Sequence, residues 1–235
     1  MTTVLAIGDT QAPFHHRDYT RFIKAVIKKY KPKVAVHVGD IFDQYFANAW
    51  GKTARAKDTL KEFEEALDWL HNDLRPVLKG LKEVYIIGNH DERIFKRADE
   101  ASIHEMFLKP MKELYNLPNN VVLDYEYVID NIMYTHGHRT QCNSNNASEI
   151  LTKEYEMPVV YGHFHSKAGI EYIANRNRLV FGFNVGCGID RHAYAFDYAK
   201  TTRNKPILGV GLIIDGLPIY IPMLLNKKHR WVGKL

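Results

Sequence analysis

The chain has 235 residues, of which 46% are hydrophobic and 25% charged, a globular composition long enough for one domain with a sizeable core. Two cysteines exclude a disulfide framework, and no run approaches the roughly 20 apolar residues that span a bilayer. Net charge is +5, from 32 basic and 27 acidic residues, a modest excess that tilts toward acidic partners such as nucleic acid or phosphate esters.

In chain order, residues 4–8 read as a short buried strand ending in Gly-Asp rather than as a signal peptide. The expectation is a cytoplasmic protein with no membrane partner. Residues 18–30 carry Phe22, Ile23, Val26 and Ile27 at helical spacing, and Pro32 follows. Residues 33–38 form a second strand, again before Gly-Asp. Residues 53–81 predict a long helix with Leu60, Phe63, Leu67, Leu70 and Leu74 along one stripe, broken or kinked at Pro76. A third strand, 84–87, ends in Gly-Asn-His-Asp. Alternating strands and helices are the grammar of a parallel sheet with crossover helices.

Residues 92–117 read as charged helix, and the pattern then changes. Strands are expected at 121–123, 125–129, 132–135, 159–161, 170–174, 179–183, 207–214 and 217–221, with one short helix at 146–155. Asp130-Asn131 and Asp215-Gly216 suit hairpin turns. The layout predicts one domain over residues 1–235, parallel in its first half and antiparallel in its second.

Five segments carry metal-ligand chemistry: Asp9-Thr10-Gln11, Gly39-Asp40-Ile41-Phe42-Asp43, Gly88-Asn89-His90-Asp91, His136-Gly137-His138 and Gly162-His163-Phe164-His165. Each alone is weak, since a Gly-Asp after a strand is usually a turn. Together they supply carboxylate, amide and imidazole donors, mostly at predicted strand ends, where the loops of an open sheet converge on one crevice. Mixed oxygen and imidazole donors suit Mn, Fe and Zn, and two such ions about 3.5–4 Å apart clamp a phosphoryl group.

This array, spanning about two thirds of the chain, resembles the calcineurin-like metallophosphoesterase superfamily, including its compact bacterial and bacteriophage-encoded members. The resemblance implies an α/β fold, an αββα sandwich of two mixed β-sheets flanked by helices. It implies that Asp9 binds a first metal, Asp40 bridges two, Asn89, His136 and His163 bind the second, and His165 returns to the first. His90 would contact phosphate and protonate the leaving oxygen, with Asp91 orienting its ring. Asp43 would steady the loop after Asp40.

The family's first motif usually carries His where this chain has Gln11. A Gln oxygen is a harder, weaker donor, which predicts a more loosely held first ion and a tilt toward Mn or Mg over Zn. Mn is the favoured ion of the pair, with Fe, Mg, Ni or Zn as alternatives. The pair His15-His16 could supply an imidazole instead, a surface or loop role being the better reading. His138 is taken as substrate-facing or structural, and Arg93 and Arg139 as arginines that could reach phosphate from the two rims or simply be surface residues. Gln44 stands where protein Ser/Thr phosphatases carry Arg, which counts against that branch.

The expected activity is hydrolysis of a phosphoester by metal-activated water, with a phosphodiester of a nucleotide or nucleic acid preferred. A phosphomonoesterase of a small metabolite and a non-catalytic metal-binding scaffold are the alternatives. Cys187 reads as a packed small residue, residues 143–146 as a polar loop and helix cap, and the basic segment 227–231 as a solvated stretch that could touch a nucleic-acid backbone.

Overall fold

The computed structural model describes residues 1–48, 58–174, 176–193 and 205–235. Strands β1 (Val4–Ile7), β2 (Val34–His37) and β3 (Lys82–Ile86) run parallel, with Val4 opposite Val34 and Val34 opposite Lys82. Their side chains alternate with the strand period of two. Leu5, Ile7, Ala35 and Tyr85 face a helical layer, whereas Val4, Ala6, Val34, Val36, Val84 and Ile86 face a second sheet. Burial on both faces explains why these strands are apolar runs rather than alternating ones.

The helical layer begins with α1 (Tyr19–Tyr30), which buries Tyr19, Phe22, Ile23 and Val26 and ends at Lys31 in the left-handed region. The predicted long helix is α2 (Thr59–Asp68), a π-helical turn over Trp69–Leu74, and α3 (Arg75–Leu78). Its first expected residues, 53–57, lie outside the described residues. Asp58 caps it, its carboxylate accepting from Leu60 N at 2.8 Å. Two details differ from expectation. Leu60 is exposed and Glu62 and Ala66 are buried, so the buried face is rotated from the predicted stripe. Pro76 does not break the helix, because it lies in the first turn of α3, just after the wider π-helical turn.

After β3 come α4 (Arg93–Glu100), a 3-10 turn (Glu105–Phe107) and α5 (Met111–Leu114). Strand β4 (Val122–Asp124) closes the first sheet, and β5 (Glu126–Ile129) opens the second. There follow β6 (Ile132–Thr135), α6 (Ala147–Glu154), β7 (Val159–Tyr161), β8 (Gly169–Ala174), β9 (Leu179–Asn184), β10 (Gly209–Ile214) and β11 (Leu217–Pro222). The sheet orders are β11-β10-β1-β2-β3-β4 and β5-β6-β7-β9-β8. Both are mixed. The second half is therefore not simply antiparallel: β6, β7 and β9 are parallel, α6 providing one crossover, and the β10–β11 hairpin returns to lie beside β1.

Ile132, Tyr134, Val160, Phe181, Phe183 and Val185 complete the core between the sheets. On the outer face of the second sheet, α6 packs Ala147 and Leu151 against Met133, Val159 and Tyr161. The result is the four-layer αββα sandwich. Asp130-Asn131 and Asp215-Gly216 all have positive φ, as the two-residue turns of β5–β6 and β10–β11 require.

Candidate metal centre

All five ligand segments leave the carboxyl end of a strand: β1, β2 and β3 from one sheet, β6 and β7 from the other. Their donor atoms converge in two groups, Asp9, Asp40 and His165, and Asp40, His136 and His163, each within 4.8 Å. Asp40 belongs to both. Its Oδ2 lies 3.3 Å from His136 Nε2, while its Oδ1 accepts from His90 N at 2.8 Å. His165 Nε2 is 2.7 Å from Asp9 Oδ2, and His163 Nδ1 is 3.3 Å from His136 Nε2. His136 donates its Nδ1 proton to Val38 O at 2.8 Å, which turns Nε2 toward the centre and toward Asn89 Oδ1 at 3.1 Å.

The approach is close enough to need glycine in front of the ligands. A Cβ at Gly39 would stand 2.4 Å from His136 Nδ1, at Gly88 2.2 Å from Asp40 Oδ1, and at Gly162 2.3 Å from Asp9 Oδ1.

The buried carboxylates and imidazoles of this cluster shift one another strongly. Burial would raise Asp40, but the imidazoles of His136, His90 and His163 hold it well below the usual carboxylate range. Asp9 is likewise lowered against burial, by His136 and His165. His136, although burial opposes its charge, is driven up to about 10 by Asp40 and Asp9, whereas burial and His136 push His163 down to about 4. Two buried carboxylates thus demand positive charge in a pocket of imidazole and oxygen donors, a set that fits divalent cations. Gln11 fits it too. Its Nε2 lies 3.4 Å from each of Asp40 Oδ2, His90 Nε2 and His165 Nε2, and its Oε1 is buried with no hydrogen-bond partner. Turning the amide over would place the oxygen among the donors of the first group.

The orienting of His90 is assigned differently from the sequence. His90 donates from Nδ1 to Asp43 Oδ1 at 2.7 Å. Asp91 faces away and ties loops together. Its carboxylate accepts from Gly88 N at 2.9 Å, Phe42 N at 3.2 Å and Tyr115 Oη at 3.2 Å. Burial, with the charge of Asp40, pushes Asp91 up to about 7. Sequence adjacency suggested Asp91, but neighbouring side chains on a turn diverge, and the β2 loop supplies the partner instead.

Arg93 does reach the centre, with Nη2 donating to His90 Nε2 at 2.9 Å and Nη1 to Asp43 O at 2.6 Å. Arg139 does not. It is half-exposed, stacked 3.5 Å over the Tyr125 ring, with Nη2 3.7 Å from Glu92. His138 lies beside the centre, its ring centroid 5.2 Å from that of His136 and its Nε2 3.3 Å from Glu92. Neither His15 nor His16 joins the donor set: His15 stacks on Trp69 at 4.3 Å, and His16 accepts from Asp18 N at 3.1 Å. Cys187 is buried beside Phe14, Tyr45 and Ile189, and residues 143–146 form a hydrogen-bonded turn before α6.

Sequence reasoning missed Glu92, which gathers His138, Arg139, Lys96 and Tyr125; its place right after Gly-Asn-His-Asp was the available signal. It also missed Glu62, whose Oε1 accepts from Tyr45 N at 2.6 Å behind the Asp43 loop. Burial, then Asp43, raises Glu62 to about 7. The unfolded chain releases this proton near pH 4.5, so stability is lost as pH rises from there toward 7. Glu62→Gln keeps the acceptor and removes the charge. It is expected to gain up to about 3 kcal/mol relative to the wild type at pH 8 and little at pH 4, read from urea unfolding at the two pH values. An equal effect at both would refute the assignment.

With the geometry in place, residues 2–179 match the calcineurin-like phosphoesterase family. The chain belongs to that family. It is accordingly a metal-dependent phosphoesterase, a phosphoric ester hydrolase. Its curated relatives include the Gene 54 proteins of Mycobacterium phage D29, 26% identical over 176 residues, and of Mycobacterium phage L5, 24% identical over 176, each match covering 69% of this chain and 68% of the relative. Similar solved structures include Yfce, a phosphoesterase from E. coli (14% identity, TM-score 0.42, covering 99% of this chain and 98% of that one). Another is Vps29 from Chaetomium thermophilum (12% identity, TM-score 0.48, covering 98% and 94%). Among the described residues no helix is long and apolar enough to cross a membrane.

Proposed function

We propose that this phosphoesterase uses two divalent ions, Mn preferred, to hydrolyse a phosphodiester of a nucleotide or nucleic acid. Asp9, Gln11, Asp40 and His165 would hold one ion, and Asp40, Asn89, His136 and His163 the other. Such a pair supplies an activated water and neutralises charge on the phosphoryl oxygens. The protein's own part centres on His90. Asp43 fixes Nδ1–H, so Nε2 is the atom that carries a proton to the departing oxygen. Arg93, which covers Nε2 in this structure, swings onto a non-bridging oxygen as substrate enters.

The observation that favours a diester is the commitment of Gln44. Its Nε2 donates to Asp91 O at 3.0 Å and Tyr115 Oη at 2.9 Å, and its Oε1 accepts from Ile94 N at 3.0 Å. Where protein phosphatases place a second guanidinium, this chain has a structural amide. Among the described residues Arg93 alone among the arginines hydrogen-bonds His90. A diester monoanion needs less cationic support than a monoester dianion, which is the argument against the phosphomonoesterase.

The test is turnover of bis-p-nitrophenyl phosphate and of the monoester with Mn, beside His90→Ala. Diester turnover should lead, and the variant should lose about 100- to 10,000-fold in kcat. Monoester preference would favour the small-metabolite reading, and inertness toward both esters would favour the scaffold.

A further inference from the structure

A second group of cationic and imidazole side chains lies outside the metal centre. It lines a cavity of about 280 Å³ whose polar wall is His16, Asp190, Arg191, His192, Asn226 and His229. Two of the segments that line it carry most of these side chains. One is the turn at 226–230, where Asn226 Oδ1 accepts from Lys228 N at 2.8 Å and Arg230 N at 3.1 Å. This turn is fastened to the start of α1. Arg230 donates to the Asp18 carboxylate from Nε at 2.7 Å and Nη2 at 2.6 Å, and Trp231 N joins them at 3.0 Å. Because His16 Nδ1 accepts from Asp18 N, its Nε2 carries the proton and donates to His229 O at 3.1 Å. Lys227, Lys228 and His229 are left exposed on a fixed turn.

The other segment is 189–193, which carries Arg191. The guanidinium rests on ring nitrogens, with Nε 3.2 Å from His192 Nε2 and Nη2 3.4 Å from His229 Nδ1. Those rings stand edge to face at 4.7 Å. Among the described residues no carboxylate pairs with Arg191, and the carboxylate beside it, Asp190, accepts from His192 N at 2.9 Å. A planar five-donor fork offered only ring nitrogens is matched to a phosphate.

Its position follows from the backbone. Gly188 N donates to Asp9 O at 2.8 Å, and His16 N to Gly188 O at 2.7 Å. Arg191 is three residues further on, at most about 11 Å away even when fully extended. The backbone of Arg191 thus lies within about 11 Å of Gly188, which is itself hydrogen-bonded to the backbone of Asp9.

We propose that Arg191, His192 and His229, with Lys227 and Lys228 at the rim, bind a backbone phosphate of an oligonucleotide whose scissile phosphodiester lies at the metal centre. This rests on the phosphodiesterase reading and narrows it to a polynucleotide substrate.

The test measures binding of a short fluorescein-labelled single-stranded DNA by anisotropy across a salt series. It uses the full chain with Mn in the His90→Ala background, so that the strand persists. Arg191→Ala should weaken binding about tenfold and reduce the slope of log affinity against log salt by about 0.7, one phosphate contact on a single strand. A Lys227→Ala, Lys228→Ala double variant should reduce the slope further. With His90 restored, neither set should change bis-p-nitrophenyl phosphate turnover. Unchanged affinity and slope in Arg191→Ala would overturn the proposal. So would a parallel loss of small-ester turnover, or inorganic phosphate competing at the strand's own concentration. If strand binding behaves as expected while both small esters stay inert, the phosphodiesterase reading fails and the phosphate site stands.

Discussion

Gly88→Ala is expected to lower kcat/KM on an aryl phosphoester by about 100-fold or more, although it adds a single methyl group far smaller than any ligand. The added Cβ would stand 2.2 Å from Asp40 Oδ1 and 2.3 Å from Asp40 N. Backbone cannot yield to it as the tip of a flexible side chain could. Asp40 also sits at a φ of 52°, which leaves it little room to rotate away. The carboxylate common to both donor groups must shift, and a displacement of about 1 Å at a catalytic centre costs two orders of magnitude. Gly80→Ala is the control. Unlike Gly88 it has positive φ, but nothing lies within 4 Å of its added Cβ. It should cost about 1 kcal/mol of stability and leave turnover alone. Near wild-type activity in Gly88→Ala, measured with Mn, would remove Asp40 from the centre of the mechanism.

A second large effect separates two neighbouring acids. Asp43→Asn removes the carboxylate that holds His90 Nδ1–H at 2.7 Å. It should lower kcat by about 100-fold with the thermal midpoint nearly unchanged. Asp91→Asn should do the reverse. Its amide nitrogen would then face either Gly88 N or the pair Phe42 N and Tyr115 Oη, donor against donor, and the variant should lose about 1–3 kcal/mol of stability. Measuring kcat and thermal unfolding on both variants decides the matter. A silent Asp43→Asn beside an inactive, stable Asp91→Asn would give the orienting role back to Asp91.

That exchange marks how far the sequence could be read. Donor-bearing residues at strand ends were visible because a buried strand's apolar run stops where its loop begins, and Asp9, Asp40, His136, His163 and His165 do meet. Asp43 and Asp91 were both visible as acids beside the motif. Which of them met His90 depended on the path of two loops in space, which spacing along one of them does not encode. The hairpins were legible from Asp130-Asn131 and Asp215-Gly216, since turn chemistry is local. The return of β10 and β11 to the first sheet was not, because strand order is set by packing between distant segments. The buried face of α2 was misjudged for a related reason: Leu60 has the right character, but tertiary contact selected Ala66 and the carboxyl of Glu62 instead. The cavity at Arg191 joins segments about thirty residues apart or more, so the basic run at 227–230 could be noticed in the sequence but not placed.

In each donor group the carboxylates come from the first sheet, and the imidazoles of His136, His163 and His165 come from loops of the second. Elsewhere the sheets are held together by the oily contacts of valine, isoleucine and phenylalanine, which have no direction and tolerate sliding. A cation held by either group would be bonded to both at once. It would act as a rivet through the sandwich, fixing at one end the angle that the apolar filling leaves adjustable.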